Sequence, residues 1–411
     1  MRILFLLTQD LDSPAGVGRY FPLARELAKL GHQVNIAALH ANFDALHQTH
    51  FKRDGVNVEY VAPMHVRKQN HNKFYYPSHQ LLPLIVRATW ALGHAALRTP
   101  ADIIHIGKPH PMNGLAGLVA RYVWGRRVFL DCDDYEAATG HFSGAWQRHV
   151  VAFFEDHLPH HVHHITTNTY FLRDRLLALG VPPERITYLP NGVDRARFTP
   201  PSSAQVEERR AALGLMGKKV VAFIGSLSKP SHPVDLLLDA FLLIHQAQSQ
   251  AVLLIVGGGE EFEPLQAKVR AMELENSVRF CGRVPAPEVP LYYHLADVSV
   301  DPVYADDIAR SRLPLKLFES WACGVPFVTG DVGDRRAVLG TPPAGVLTEP
   351  GDPASLARAI LHILECPDRA VSLRQRGLER VELFSWERLA RKLEAVYLSN
   401  GQVPDSSSDT Q

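Results

Sequence analysis

Short apolar runs alternate with amphipathic stretches along the chain, and this alternation predicts strands and helices in turn. In the first half, residues 2–8, QVNIAAL, VNVEYVAP, DIIHIG and RRVFLD are short apolar or alternating runs of the kind that forms strands. Helical periodicity from about Tyr20 to Leu30 separates the first two runs, and Gly31 closes that helix. Strand, glycine-containing loop, helix and strand make a βαβ unit, so the pattern predicts an α/β fold with parallel strands.

The same pattern returns in the second half, after a break. The runs KKVVAFI, AVLLIV, SVRFCG and VPFVTG predict a second set of strands. Residues 199–216 are rich in proline, serine and charge, which is typical of a linker. We therefore predict a domain at 1–198, a linker at 199–216, a domain at 217–384, a helix at 385–399 and a disordered polar tail at 400–411.

Composition agrees with a globular protein. The chain has 411 residues, which is long enough for two or three domains, each with its own core. Of its residues, 46% are hydrophobic and 21% are charged. The formal net charge is zero, which gives no reason to expect a nucleic-acid partner. Residues 1–190 nevertheless hold 19 Lys and Arg against 15 Asp and Glu, and 17 of the 21 histidines. This mild basic bias suits an anionic acceptor or a lipid surface.

Nothing in the chain predicts secretion or a membrane span. The N-terminal apolar run has six residues, as in a first strand, and a signal peptide needs more. The longest apolar stretch, 81–97, is interrupted by Pro83, Arg87 and His94, so we expect a packed helix and leave a membrane-facing role open. Four widely spaced cysteines fit reduced thiols. We expect a cytoplasmic protein, with peripheral association at the inner face of the membrane as an alternative.

Residues 304–334 are the most informative stretch. Pro314 can start a helix, Gly324 can end it, and a buried strand follows. Glu319 is a carboxylate within the otherwise apolar helical pattern, and Lys316 lies one turn before it. A loop, a helix N-terminus, a strand and a second glycine-rich loop together predict a site for an anionic ligand.

This stretch resembles the donor-binding signature of the retaining GT-B glycosyltransferases of family four, in which two glutamates lie eight residues apart. Glu319 matches the second glutamate, which in that family holds the ribose of a nucleotide. The first falls at Ser311, a departure, but PLKLFE matches a variant P-x-K-[LF]-[FY]-E that some members carry. The segments AGVGRYFPLARELAKLGHQV, PNGVD and FSWERLARKLEAVY extend the resemblance over nearly the whole chain. It implies two Rossmann-like domains with parallel sheets facing across a cleft, and a terminal helix that crosses back to the first domain.

The resemblance also implies the donor contacts. Relatives clamp the diphosphate with an arginine and a lysine, but this chain has Ser226 at the first position and His232 at the second, with Lys229 three residues earlier. We hypothesise that Lys316 supplies the missing charge. The other donor-binding residues that the resemblance implies are Gly16, Gly225, Gly258, Arg283, Val284, Ser311, Arg312 and Leu315. Gly16 would face either the diphosphate or the acceptor. Three acids that would replace the lost hexose carboxylate, or are simply solvated, are Asp301, Asp306 and Asp307.

The acceptor side is predicted at the end of a first-domain strand. Asp131, Asp133 and Asp134 follow RRVFL, where parallel sheets place their ligands, and His110 follows DIIHIG. One of these acids orients or deprotonates the acceptor hydroxyl, or they cap a helix instead. The catalytic candidates are Asp133, Asp134, His110 and Lys316. Segment 65–80 is a polar loop, either a lid or a plain connection.

No metal or cofactor is expected. Five histidines in residues 157–164 have spacings that suit zinc, but Pro159 interrupts the helix among them. The family that the chain resembles needs no protein-held metal.

The sequence thus predicts a retaining glycosyltransferase that moves a hexose from a nucleotide-diphosphate sugar to a hydroxyl of a glycan, a lipid-linked sugar or a small molecule. Two alternatives stay open. One is an epimerase or hydrolase of the same fold. The other is an inactive nucleotide-sugar-binding subunit, which Ser226 and Ser311 make credible because they stand where the family has charged residues. The base, the sugar, the acceptor and the oligomeric state are left open.

Overall fold

The chain divides into two compact units. A computed structural model describes residues 1–399 apart from 14, 70–71, 141, 143 and 230. Unit 1 comprises Met1–Gly192 and the segment that begins at Trp386, and unit 2 comprises Val193–Ser385. The tail predicted for 400–411 lies outside the described residues.

Unit 1 is built on an eight-stranded sheet with the order β10-β9-β8-β7-β1-β2-β4-β3. Every neighbouring pair is parallel except β3 and β4. The strands of unit 1 are β1 (Arg2–Leu7), β2 (Gln33–His40), β3 (His50–Arg53), β4 (Val56–Pro63), β5 (Val66–Gln69), β6 (Asn72–Tyr75), β7 (Ile103–Gly107), β8 (Arg127–Cys132), β9 (His164–Thr167) and β10 (Ile186–Tyr188).

Strands β5 and β6 correct one prediction. They pair antiparallel as a separate hairpin within segment 65–80, whose polar composition predicts a loop. Val66, Phe74 and Tyr75 are β-branched or aromatic residues of the kind that favours strands, and this outweighs the polar composition of the segment.

Helices cover the sheet of unit 1. They are α1 (Phe21–Lys29), α2 (Ser78–Arg98), α3 (Pro111–Tyr122), α4 (Glu136–Thr139), α5 (Ala145–His157) and α6 (Tyr170–Ala178). Small residues let α2 and α3 pack closely on one face, where Ala88, Ala95, Ala116 and Ala120 are buried in one core. None of the helices among the described residues is long and apolar enough to cross a membrane.

Unit 2 has a six-stranded, all-parallel sheet with the order β13-β12-β11-β14-β15-β16. Its strands are β11 (Lys219–Ile224), β12 (Ala251–Val256), β13 (Val278–Gly282), β14 (Val298–Asp301), β15 (Phe327–Gly330) and β16 (Val346–Thr348). The α/β prediction with parallel sheets in two domains is confirmed.

The helices of unit 2 enclose its sheet. They are α7 (Ser203–Ala212), α8 (Val234–Ala247), α9 (Phe262–Ala271), α10 (Val289–His294), α11 (Asp307–Arg310), α12 (Leu315–Ala322), α13 (Arg335–Leu339), α14 (Pro353–Glu365) and α15 (Pro367–Arg380). Helix α12 begins directly after Pro314 and buries Phe318 and Trp321 in the core. Helix α7 lies within the segment predicted as a linker.

The last helix, α16 (Trp386–Leu398), belongs to unit 1. It packs on α1, and its apolar side joins the core on the face of the sheet opposite α2 and α3. The Tyr397 hydroxyl bonds Nδ1 of the buried His105 on β7 at 2.8 Å. Unit 1 is therefore completed by residues from both ends of the sequence.

Candidate functional site

Three loops meet at the C-terminal edge of the sheet of unit 2. Gly225 follows β11, residues 257–259 follow β12, and Asp301 is the last residue of β14. The Gly225 amide donates to the carbonyl of Val256 at 2.9 Å, and the Leu227 amide donates to the carbonyl of Gly258 at 3.2 Å. Open parallel sheets bind ligands at this edge, so the loops lie where a site is expected.

Glycines let these loops interlock. A Cβ on Gly257, whose φ is +141°, would lie 1.8 Å from the carbonyl oxygen of Gly225. A Cβ on Gly259 would lie 2.2 Å from the carbonyl oxygen of Leu227. A Cβ on Gly258 would lie 3.0 Å from Cγ of Arg283. These glycines therefore serve close backbone packing, and the Arg283 side chain covers Gly258.

Asp301 is the centre of the site. Its side chain is fully buried, and it accepts hydrogen bonds from Nζ of Lys316 at 2.9 Å and Nη2 of Arg335 at 3.1 Å. Nη2 of Arg312 lies 4.0 Å from its Oδ1. Burial raises the pKa of Asp301, but the surrounding cations outweigh this and hold its pKa below the usual range. Three permanent or near-permanent cations thus share a single buried carboxylate.

Lys316 points from the first turn of α12 into this cluster. Its side chain is 6% exposed, and its ammonium lies 4.3 Å from the centroid of the Phe223 ring. A Cβ on Gly225 would be 3.2 Å from Cε of Lys316, so the glycine makes room for the lysine. Burial lowers the pKa of Lys316, and Asp301 acts in the opposite direction.

His232 and Arg312 complete the cationic cluster, which we define as Lys316, Arg312, Arg335 and His232 around Asp301. Nδ1 of His232 is 3.4 Å from Nζ of Lys316. Arg312 donates from Nη1 to the carbonyl of Ser231, the residue before His232. The predicted donor residues Gly225, His232, Arg312 and Lys316 are therefore brought together.

Lys229, by contrast, has its own partners outside the cluster. Its side chain is 50% exposed, and its ammonium lies 3.3 Å from a carboxylate oxygen of Asp235 and 3.5 Å from one of Glu261. Two carboxylates already compensate its charge.

Glu319 lies one turn after Lys316 on α12 and is partly buried. Its Oε2 accepts a hydrogen bond from the hydroxyl of the buried Tyr293 at 3.0 Å. Burial raises the pKa of Glu319, whereas Arg197, Tyr293 and Lys316 act to lower it. The Tyr293 hydroxyl thus holds one oxygen of this carboxylate.

Three other predicted donor residues contribute differently. Ser311 is fully buried, and its hydroxyl donates to the carbonyl of Ile308 at 3.0 Å, so its side chain serves the loop itself. Leu315 is the first residue of α12, where it presents a backbone amide. Val284 is partly buried directly after Arg283.

The candidate hexose acids are likewise engaged. Asp301 is buried among cations, and Asp306 caps α11 by accepting from the Ala309 amide at 2.7 Å. Asp307 is exposed and pairs with Arg310 at 3.2 Å.

In unit 1, Arg19 and Asp131 form a fully buried, bidentate ion pair. Nε and Nη2 of Arg19 each lie 2.7 Å from an oxygen of Asp131. Arg19 also donates to Oδ1 of Asn191 at 2.9 Å and to the carbonyl of Leu189 at 3.1 Å. Asp131 is therefore an internal anchor, which leaves Asp133 and Asp134 as the candidates for acceptor chemistry.

Gly16 lies against its own loop. A Cβ there would be 2.1 Å from the carbonyl oxygen of Asp10, and the Gly16 amide donates to Oγ of Ser13 at 3.1 Å. Its lack of a side chain is thus required by local packing.

The predicted acceptor residues surround the ammonium of Lys108. Nζ of Lys108 is 3.3 Å from Asp133 and 3.0 Å from Asp134, and it also donates to Glu136. The backbone of Lys108 has φ +70°, a left-handed conformation that is uncommon for a residue with a side chain. We call Lys108, Asp133, Asp134, Glu136 and His110 the acidic cluster. Its three carboxylates have the spacing of a cation site, and the lysine ammonium lies against all three of them.

His110 joins the acidic cluster to β1. Its Nδ1 bonds Oγ1 of Thr8 at 2.7 Å, and its Nε2 bonds Oε2 of Glu136 at 3.1 Å. The predicted residues His110, Asp133 and Asp134 are therefore brought together in the structure.

Electrostatics divide the carboxyl groups of the cluster. Burial raises the pKa of Asp133 to about 7, against the effect of Lys108 and with that of the neighbouring acids. Burial also acts to raise the pKa of Glu136, but Lys108 and His110 outweigh this effect and hold the pKa below its usual range. A carboxyl group with a pKa near neutrality is suited to general acid–base chemistry.

The histidines of residues 157–164 do not converge. Nδ1 of His157 bonds the carbonyl of Phe153, Nδ1 of His163 accepts from the Val128 amide, and His164 bonds Thr187. His161 bonds the hydroxyl of Tyr122. Across the described ranges, the metal-like groupings of side chains do not include them.

Two family models match the chain. Residues 15–192 match the glycosyl transferase 4-like domain, and residues 218–366 match the glycosyl transferases group 1 domain. Together they span most of both units. The chain belongs to the group 1 glycosyltransferases of the GT-B fold.

The alignments with curated relatives cover a little over half of this chain. A GDP-mannose-dependent alpha-(1-6)-phosphatidylinositol monomannoside mannosyltransferase from Mycobacterium tuberculosis is 29% identical over 56% of this chain and 60% of its own. A D-inositol 3-phosphate glycosyltransferase from Catenulispora acidiphila is 32% identical over 57% of each chain. The matches thus span a little over half the length of these relatives.

Solved structures share the fold of this glycosyltransferase over almost its full length. Sucrose-phosphate synthase from Thermosynechococcus elongatus superposes with a TM-score of 0.77 at 20% identity, covering 97% of this chain and 99% of that one. Anabaena HepE in complex with UDP-glucose gives a TM-score of 0.74 at 19% identity, covering 97% and 100%.

Two site residues of the glycosyltransferase have roles that the sequence does not predict. Asp301, a sequence candidate for the hexose, is the counterion of the cationic cluster, and Glu136 is not among the candidates at all. Asp301 ends a strand that precedes the motif by more than ten residues, so only its position at a strand end signals it. Glu136 follows the Asp133–Asp134 pair, and a count of acids at that strand end would have included it.

Proposed function

We propose that this glycosyltransferase transfers a hexose from a nucleotide-diphosphate sugar to an acceptor hydroxyl with retention of anomeric configuration. The observation that carries the proposal is the cationic cluster at the C-terminal edge of the sheet of unit 2. Lys316, Arg312 and Arg335 supply three positive charges there against the one negative charge of Asp301. A partly buried excess of positive charge favours an anion with more than one charge, such as a diphosphate.

The cluster also accounts for the residue changes in the loop that follows β11, residues 225–232, which we call the phosphate loop. Ser226 and His232 replace the arginine and lysine that relatives carry, but Lys316 reaches His232 from the facing helix and Arg312 anchors the same loop. We infer that Lys316 and Arg312 assume the clamping role. This favours a donor site that works over an inactive subunit.

Glu319 fits the ribose of the donor. A carboxylate oriented by Tyr293 can accept hydrogen bonds from two neighbouring hydroxyls, which a ribose presents. Glu319 and Lys316 lie one turn apart on α12, so a single helix would contact both the ribose and its phosphates. Backbone groups near Arg283 and Val284 would contact the base of the nucleotide.

Transfer then requires an acceptor and a path for its proton. The bond between the hexose C1 and the diphosphate oxygen breaks, and the acceptor oxygen forms a new bond to C1 on the same face. Charge on the departing diphosphate is stabilised by the cationic cluster and the N-terminus of α12. The acceptor proton passes to a carboxylate of the acidic cluster, for which Asp133 and Asp134 are the candidates, or to the departing phosphate.

The first experiment identifies the donor. Thermal unfolding of the protein is measured with UDP, GDP, ADP and dTDP. It is then measured with nucleotide sugars that carry the same base as the diphosphate that stabilised the protein. A ligand present at about 100 times its Kd adds roughly 2.7 kcal/mol of stability. If none of the four diphosphates raises the melting temperature, the proposed donor site is wrong.

The second experiment separates transfer from the two alternatives. The stabilising nucleotide sugar is incubated with candidate acceptors, and with none, and products are resolved by mass spectrometry. Sugar loss or epimerisation without an acceptor supports a hydrolase or an epimerase. Binding without turnover for every acceptor supports an inactive subunit, and acceptor-dependent product with the donor's anomeric configuration supports the proposal.

A further inference from the structure

Three helices of unit 1 expose apolar side chains to solvent. On α2, Val86 is 62% and Trp90 70% exposed; on α3, Val119 is 43% and Tyr122 63% exposed; on α5, Val150 is 38% and Phe153 55% exposed. We call these six residues the apolar face. Each pair is three or four residues apart, so each lies on one side of its helix.

The three helices are neighbours. Helices α2 and α3 bury Ala88, Leu92, Ala116 and Ala120 in the same core on one face of the sheet. Helix α5 packs beside α3, where a Cβ on Gly114 would lie 3.2 Å from a ring carbon of Phe154. The exposed pairs therefore belong to one helical layer of unit 1. Soluble proteins seldom leave such a grouping of large apolar side chains uncovered without a function.

Polar neighbours fix the aromatic rings of the apolar face. Trp90 stacks on His94 with centroids 5.4 Å apart, and Phe153 stacks on His157 at 4.2 Å. The Tyr122 hydroxyl bonds Nδ1 of His161 at 2.9 Å. Rings that are already ordered lose little conformational freedom when they enter an apolar environment.

The charge around the apolar face has one sign. Helix α2 carries Arg87 and Arg98, helix α3 carries Arg121, and neither helix has an acidic residue. The acids of α5 are engaged, because Glu155 is buried and Asp156 pairs with Arg175.

We propose that the apolar face and its flanking arginines dock the chain on the surface of an anionic lipid bilayer. Tryptophan and tyrosine rings prefer the boundary between headgroups and acyl chains, and amphipathic helices lie in that plane. Arg87 and Arg148 are exposed on α2 and α5, where they can meet lipid phosphates. A second copy docked symmetrically would bring these like charges together, so a lipid surface fits the face better.

The test measures binding of the full chain to vesicles by flotation. Vesicles of phosphatidylcholine alone are compared with vesicles that also contain phosphatidylglycerol. We expect binding to the anionic vesicles that weakens with salt, and quenching of tryptophan fluorescence by lipids brominated on their acyl chains. Neither readout uses a sugar donor, so the result is independent of the proposed transferase activity.

Paired variants locate the surface. Val86→Ser/Trp90→Ser and Arg87→Glu/Arg148→Glu should each weaken partitioning about ten-fold or more. The matched controls are Met216→Ser/Val371→Ser and Arg358→Glu/Arg369→Glu, which change equally exposed residues of unit 2 and should bind as the unaltered chain does. All four changes are on the surface, and unchanged melting temperatures verify that each variant folds.

Two outcomes would overturn the proposal. One is the absence of binding to anionic vesicles, or binding that both pairs of unit 1 substitutions leave unaltered. The other is concentration-dependent self-association that Val86→Ser/Trp90→Ser abolishes, which would assign the apolar face to a second copy of the chain.

Discussion

At the scale of single residues, the two lysines near the phosphate loop show why position in the sequence and position in the site differ. Lys229 belongs to this loop, but Asp235 and Glu261 compensate its charge at the surface. Lys316 lies 84 residues from His232 and yet contacts it within a buried cluster. A charge held away from solvent acts more strongly on a bound anion than one that water screens.

We predict that Lys316→Ala lowers kcat/KM for the donor by about 100-fold, the scale seen when one donor to a developing negative charge is removed. Lys229→Ala is the matched control and should change kcat/KM less than about three-fold, since exposed ion pairs contribute little. Steady-state kinetics on both variants, with melting temperatures to verify folding, checks this. Equal losses for the two lysines would contradict the assignment.

Glu155 gives a residue-scale prediction about pH. It is buried under the acidic cluster and accepts from the backbone amides of Glu136, at 2.6 Å, and Ala137, at 3.0 Å. Burial, reinforced by the charge of Glu136, raises its pKa to about 8. Because the pKa is higher in the folded state than the ordinary value near 4.3, the folded state binds more protons between these values. The resulting stabilisation is complete below about pH 4 and is lost as the pH rises through about 8.

We therefore expect the unfolding free energy of the unaltered chain to fall relative to that of Glu155→Gln as pH rises from about 5 to 8. The glutamine cannot ionise, so the difference isolates this group, with a slope of up to about 1.4 kcal/mol per pH unit. Urea unfolding at several pH values measures it. Parallel pH profiles for the two proteins would show that Glu155 titrates normally.

At the residue scale, the sequence indicates which side chains lie together only where they are close along the chain. Glu319 and Lys316 share one helix and one motif, so their proximity follows from helical periodicity. The pairing of Arg19 with Asp131 joins residues 112 apart, and that of Lys108 with Glu136 joins residues 28 apart. Such pairs depend on the order of strands in the sheet, which one sequence does not specify.

At the scale of elements, α16 packs its apolar side into the core of unit 1. Leu393 is fully buried against the core that α1 contributes to, whereas Leu398 on the same helix is 65% exposed. The contrast makes the two leucines an internal comparison.

We predict that Leu393→Ala destabilises unit 1 by about 2–5 kcal/mol, and that Leu398→Ala changes stability by less than about 0.5 kcal/mol. Hydrogen exchange under native conditions should show faster exchange in both α1 and α16 for the first variant. Equal stability of the two variants would mean that α16 adds little to unit 1.

Most parallel strands were predictable because buried strands are continuous apolar runs. AVLLIV, for example, coincides with β12. The antiparallel edge strand β3 was missed, because HFKR is mostly exposed and has no apolar run. The hairpin of β5 and β6 was missed because segment 65–80 is mostly polar, and the hairpin lies outside both main sheets.

At the scale of the whole molecule, the proposal assigns the donor to unit 2 and the acceptor chemistry to unit 1. Exchange mass spectrometry can map each substrate separately. We predict that the stabilising nucleoside diphosphate slows amide exchange in residues 225–232 and 311–319, because a ligand on these loops suppresses their local opening. The corresponding nucleoside, which has no phosphates, is the control and should protect these loops less. Protection confined to unit 1 would contradict the assignment.

Asp301 has a consequence for turnover. If the cations of a site had no internal counterion, they would repel one another and move apart each time an anionic nucleotide product left. They would then have to come together again for the next donor. In the proposed donor site the Asp301 carboxylate belongs to the protein, so it holds Lys316 and Arg335 in place whether or not a nucleotide is bound. The proposed site is therefore preorganised, and capture of each new donor would need little rearrangement of charge.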